Sequence, residues 1–123
     1  MALTNSPLDP RFTDVVVKDT QVNNTAAESI SGNRYTFHTI EITNDAGQRD
    51  YVKFYDASSA TAATLPNMIF MVASGLTRTI SICDGYSFGT AVTMRCVQEA
   101  GLGGTTSPSG GTSGNVQVIL TLS

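Results

Sequence analysis

Apolar and polar residues alternate with a period of two along most of this chain, the pattern of strands with one face buried. At the C-terminus Val116, Val118, Leu120 and Leu122 share one parity, with Gln117 and Thr121 in the other. From Leu76 to Cys83 the even positions Leu76, Ile80 and Ile82 are apolar, Arg78 being the exception, and Thr77, Thr79 and Ser81 fill the odd ones. Between Arg34 and Thr43 the parity changes. Tyr35 and Phe37 lie on one side and Ile40 and Ile42 on the other, which predicts either a bulge near His38-Thr39 or a strand buried on both faces. Asn44-Asp45-Ala46-Gly47 has turn chemistry, and Tyr51 to Tyr55 reads as a return strand, so the pair is expected to form a hairpin.

Further strands are predicted over Thr13–Lys18, Met68–Val72 and Thr90–Val97, for a total of about seven or eight. No segment combines apolar residues at helical spacing with capping residues, and Ala57 to Thr64 has no apolar face to bury. The expected fold is all-β, an antiparallel jelly-roll-like β-sandwich with little or no helix. Residues 1–12 are expected to form an extended N-terminal arm, and residues 13–123 a single domain. The segment GLGGTTSPSGGTSG, residues 101–114, has too little apolar surface to be ordered by packing alone. A long exposed and flexible loop is expected there.

A chain of 123 residues has room for one core. Charged residues make up 14% and the net charge is −3, which fits a compact globule better than a disordered chain. Arg11, Lys18, Arg34, Arg49, Lys53, Arg78 and Arg95 are scattered singly, so nucleic acid is not an expected partner. The N-terminal residues have neither the positive nor the apolar region of a signal peptide, and no run approaches the roughly 20 apolar residues of a membrane span. Synthesis in the cytoplasm and no membrane association are expected. Asn23-Asn24-Thr25 carries a glycosylation pattern but reads as a surface loop. Cys83 and Cys96 are too few for a disulfide framework and are expected to be a free buried pair, with a disulfide between neighbouring strands as the alternative.

Candidate chemistry is sparse. His38 is the one histidine, and it lies within a strand between Phe37 and Thr39, where a structural role is expected. Asp45, Asp50, Asp56 and Asp84 lie near turns without the alternating acidic spacing of a calcium loop, so turn capping is the expectation, with Asp56 ending a strand. Gly101, Gly103 and Gly104 are followed by no Lys-Ser or Lys-Thr pair of the kind that a phosphate-binding loop uses. Tyr35, Tyr51, Tyr55 and Tyr86 fit core or interface packing, with a sugar-stacking platform as the rival. No catalytic, cofactor or metal site is expected.

Over residues 36–123 the chain resembles small virion proteins of tailed bacteriophages, including those of aquatic and cyanobacterial hosts. The resemblance is carried by Tyr51-Val52-Lys53-Phe54-Tyr55-Asp56, the apolar strand after Pro66, Asp84-Gly85-Tyr86-Ser87-Phe88-Gly89-Thr90-Ala91, and Gly104-Thr105-Thr106-Ser107-Pro108. It implies a jelly-roll scaffold and a non-enzymatic capsid decoration (cement) protein. Such a protein sits on the virion surface as a homo-oligomer, with a trimer favoured, and bridges major capsid protein subunits. A tail, fibre or carbohydrate-binding virion module is the alternative. Since the strands are occupied by the core, contacts with partners are expected from the arm and the glycine-rich loop. The candidate contact residues are Leu3, Leu8, Phe12, Leu102 and Pro108. Met68 to Val72 is apolar in both parities, so its second face is expected to be buried either inside the domain or between subunits.

Overall fold

The computed structural model describes residues 3–7 and 14–123. Its strands are β1 (Leu3–Pro7), β2 (Val15–Val22), β3 (Thr36–Asn44), β4 (Asp50–Tyr55), β5 (Met68–Val72), β6 (Thr77–Ser87), β7 (Thr93–Val97) and β8 (Val116–Leu122). They form two antiparallel sheets, ordered β1-β2-β8-β3-β6 and β5-β4-β7, packed as a β-sandwich with no helix among the described residues. The all-β expectation is met.

Period two decides which residues form the core. Val15, Val17, Ile40, Ile42, Val116, Val118, Leu120 and Leu122 line the inner face of the larger sheet. Val52, Phe54, Met94 and Cys96 answer them from the smaller one. The anomalous parity of β3 is resolved by an irregularity. The register of β3 shifts between Phe37 and Thr39 against both neighbours, which turns Phe37 inward together with Ile40 and Ile42. Phe37 then meets Phe54 edge-on at 5.3 Å between ring centroids, and Phe88 at 4.9 Å. These edge-to-face contacts tie the two sheets together.

Two expectations are corrected. The Asn44–Gly47 turn does not close a hairpin, because β3 and β4 belong to different sheets. Its polar groups find other partners: Asn44 Nδ2 donates to the carbonyls of Gln48 and Val72, Asn44 Oδ1 accepts from the Ala46 amide, and the Asp45 and Gly47 amides donate to Asn115 and Ser109. With these groups bonded elsewhere, the chain can cross from one sheet to the other. The cysteines are both free, but only Cys96 is buried. Cys83 is exposed, because β6 is an edge strand and its odd positions face outward.

Of the segment expected to be an arm, Leu3–Pro7 pairs along β2 and extends the larger sheet. The opposite sheet has a covered edge at β7. There the chain after β2 runs alongside, with Ala27 and Met94 exchanging both backbone hydrogen bonds and Ile30 and Cys96 adding one each.

Gly111 has φ +66, and a Cβ there would lie 2.5 Å from the Asp45 carbonyl oxygen. Gly111→Ala therefore combines a left-handed backbone cost with a clash against main chain at the sheet-crossing corner, and should destabilise by about 2 kcal/mol or more. Chemical denaturation of the variant beside Gly32→Ala checks this, since Gly32 has a similar φ, +61, and open space around its Cβ position.

Candidate functional site

The outward parity of the smaller sheet carries Tyr51, Lys53 and Tyr55 on β4, Ile69 and Met71 on β5, and Thr93, Arg95 and Val97 on β7. Lys53 and Arg95 are direct cross-strand partners, and both are buried, at 0% and 2% exposure. Two like charges side by side out of water are costly, on the order of several kcal/mol per ion, unless dipoles surround them. The glycine-rich segment supplies those dipoles. The Lys53 ammonium donates to the carbonyls of Gly101 and Gly103. The Arg95 guanidinium donates to the carbonyl of Gly104 at 2.8 Å and that of Asn24 at 2.9 Å, and to the Tyr55 hydroxyl at 3.2 Å.

Further bonds close the loop. The Gln98 amide donates to the Thr106 carbonyl, its side chain to the Ser107 carbonyl, and Asn24 Nδ2 to the Thr105 carbonyl. Glu99 accepts from the amide and hydroxyl of Thr106. Burial, helped by the adjacent Arg95, holds the Lys53 ammonium below its ordinary pKa, while Glu99 pulls the other way. The Thr106 hydroxyl holds Glu99 below the usual carboxylate range. The segment expected to be a flexible loop is thus hydrogen-bonded onto its own sheet. Packing alone does not order it, and buried cations do. Gly104, at φ +116 with a Cβ position only 2.8 Å from the Val97 side chain, is the residue that lets the backbone come this close.

Asp56 joins two of the sequence motifs. Its carboxylate accepts from the amides of Gly89 at 2.8 Å, Thr90 at 2.7 Å and Ala91 at 3.3 Å, which fastens the end of Tyr51–Asp56 to the turn of Asp84–Ala91. Those amides, that of Gly89 first, lower its pKa. The turn also shortens β7, which begins at Thr93 where a start at Thr90 is expected from the sequence. Asp50, buried on the inner face, accepts both oxygens' bonds from Gln48 Nε2, and burial raises its pKa. Burial first and then the charge of Asp50 push the Cys96 thiol up, so it is an unreactive core residue.

His38 Nε2 bonds to Ser123 Oγ at 2.6 Å across β3 and the end of β8. The four tyrosines do not form one platform. Tyr55 is buried against Arg95, Tyr35 packs on the core, and the exposed Tyr86 stands edge-on to Phe88. Among the described residues there is no group of three or more His, Cys, Asp or Glu side chains placed to hold a metal ion, and no helix long and apolar enough to cross a membrane.

Of the candidate contact residues, Leu102 is 57% exposed on the loop above Lys53, Leu3 is 39% exposed on β1, and Pro108 is half-buried. Leu8 and Phe12 lie outside the described residues. Sequence reasoning missed the exposed Leu65 and Leu76, whereas for Met71 the two apolar parities of β5 left burial inside the domain or between subunits as the expectations. The outer face of β5 is not internal: Met71 is 41% exposed and Ile69 half-buried. Comparison with family models, curated proteins and solved structures finds no match to the chain.

Two outcomes follow. Lys53→Met removes the ammonium together with its desolvation cost, so global stability should change by less than about 2 kcal/mol, while exchange of the Gln98 and Thr106 amides speeds up roughly tenfold or more. Because the folded state lowers the pKa of Lys53, the wild type gains stability relative to this variant as pH climbs toward the ordinary value of 10.5. Hydrogen exchange and denaturation at a series of pH values measure both effects.

Asp56 and Glu99 act at the other end of the scale. Their lowered pKa values mean a stabilising contribution that is complete above the ordinary values of 3.8 and 4.5 and is lost as pH falls through the folded ones. An Asp56→Ala/Glu99→Ala variant should therefore be less stable at neutral pH and show a shallower acid limb than the parent, as read from melting temperature against pH.

Proposed function

We propose that this protein is a non-enzymatic structural protein of a tailed-phage virion, a capsid decoration (cement) protein that stabilises the head by bridging major capsid protein subunits. The observation that carries the reading is how its charged side chains are used. Lys53, Arg95, Asp56 and Glu99 all bind main chain and fasten the molecule's own loops, while large apolar side chains stand exposed at Leu65, Met71, Leu76 and Leu102. A domain whose polar groups secure its shape and whose apolar groups face outward is suited to binding other proteins. The motifs Tyr51–Asp56 and Asp84–Ala91, which carry the resemblance to phage virion proteins, point to the same class and to a jelly-roll lineage.

Such a protein acts by mass action, since a ligand that binds the assembled shell better than its separated subunits stabilises the shell. A homotrimer on a threefold position makes equivalent weak contacts that reinforce one another. The exposed Tyr86 favours, as a second reading, a tail or carbohydrate-binding module.

Purified protein mixed at micromolar concentration with undecorated phage shells should sediment with them in hundreds of copies and raise their temperature of disruption. Failure to co-sediment, or binding in only a handful of copies at the tail, would overturn the cement reading.

A further inference from the structure

The larger sheet turns one parity of its strands to the core, with Val17, Ile40, Ile42, Val118 and Leu120 buried, and the other parity away from it. On that outer face Ile119 of β8 is the register partner of Lys18 on β2 and of Glu41 on β3. A cation, an isoleucine and a carboxylate therefore stand in one row across three neighbouring strands. Lys18 is exposed, Ile119 and Glu41 are half-buried, and neither charged group bonds to another described residue. Apart from His38, which is held by Ser123 at the irregular end of β3, these are the titratable side chains at outward positions of β2, β3 and β8. Asp14 and Asp45 lie past the ends of β2 and β3, roughly 13 Å along the strands from the row.

The neighbouring rows carry hydroxyls already bonded to one another. Thr39 Oγ1 donates to Thr121 Oγ1 at 2.9 Å, and the Thr43 and Thr77 hydroxyls are 3.0 Å apart. Val16 sits beside Thr121. Hydroxyls paired with one another can be covered by a second surface without losing a partner, which lowers the cost of taking them out of water.

We infer that two copies of the chain pack through this face about a two-fold axis that runs along β8 over Ile119. A two-fold axis lying in the contact plane can run across the strands or along them, and the charges decide between the two. An axis across the strands stacks each Lys18 on the Lys18 of the other copy, and each Glu41 on the other Glu41. An axis along β8 stacks Lys18 on Glu41 of the other copy and repeats the pair on the far side, with the two Ile119 side chains meeting at the centre. The row is thus complementary to itself, and this selects a second copy as the occupant: a uniformly acidic or basic partner sets one of the two ions against its own kind. Aligned stacking is also a packing that twisted sheets favour, at about 10 Å, a gap that lysine and glutamate span together. The contact joins two protomers whether or not each also belongs to a trimer, so it does not rest on the cement reading.

Sedimentation velocity of the full chain from about 10 μM to about 1 mM, with amide chemical shifts over the same range, tests the inference. The expected result is a doubling of mass as concentration rises, with shifts centred on Val16, Lys18, Glu41, Ile119 and Thr121. Lys18→Glu and Glu41→Lys should each weaken the association roughly tenfold or more while keeping the dispersed spectrum of the folded parent. An equimolar mixture of these two variants should regain it, because every opposed pair then has opposite charges again, and so should the double variant. A parent chain that stays undoubled at the highest concentration would overturn the inference without any variant. So would single variants that associate as tightly as the parent, a mixture as weak as its components, or concentration-dependent shifts at Met71 and Leu76 in place of the outer face of the larger sheet.

Discussion

The structure depends on one electrostatic constraint: two cations opposite each other on neighbouring strands must be kept out of water without an anion between them. Lys53 and Arg95 face away from the sandwich core, so the sheets cannot solvate them. Main-chain carbonyls can, provided a segment of chain lies flat across the strands with its carbonyls turned down. The glycine-rich stretch after β7 meets that requirement because residues without Cβ allow close approach, and because Gly104 takes a backbone conformation that L side chains rarely adopt. A loop that would lose much entropy on ordering is held by charge-assisted hydrogen bonds, which are among the stronger ones a protein makes.

The rest of the architecture follows outward from that sheet. The same loop continues to the Gly47–Gly111 contact, where two chain segments meet backbone to backbone at the corner between β3 and β4. Asp56 fastens the far end of β4 to the turn before β7. The segments Tyr51–Asp56, Asp84–Ala91 and Gly104–Pro108 are therefore joined by hydrogen bonds, with Asp56 linking the first to the second and Arg95 linking Tyr55 to Gly104. A face anchored in this way leaves Leu102 and Met71 exposed on a hydrogen-bonded surface.

Much of the fold was legible because a half-buried strand leaves a simple mark. The parity break in β3 was legible as either a bulge or a strand buried on both faces, and the register shift between Phe37 and Thr39 decides for the irregularity. Of the acidic residues expected to cap turns, Asp56 does so, whereas Asp50 and Asp84 lie within β4 and β6. Less legible were the exposed Met71 and Leu76. An apolar residue in an edge strand carries the same letter whether the neighbouring sheet covers it or stops short. Cys83 was misjudged for that reason.

From the sequence alone came the all-β class and the strands after β1 with most of their inward faces, because alternation is a local property that every residue reports for itself. The tertiary structure decided which sheet each strand joins. Period two is identical for a hairpin and for a crossing, and only the partners found by Asn44, Asp45 and Gly47 distinguish them. It also decided that Lys53 and Arg95 are buried and that residues 101–107 are held in place. Neither half of that arrangement is favourable alone, since bare cations resist burial and a bare glycine loop resists ordering, so the two are stable only where the fold brings them into contact.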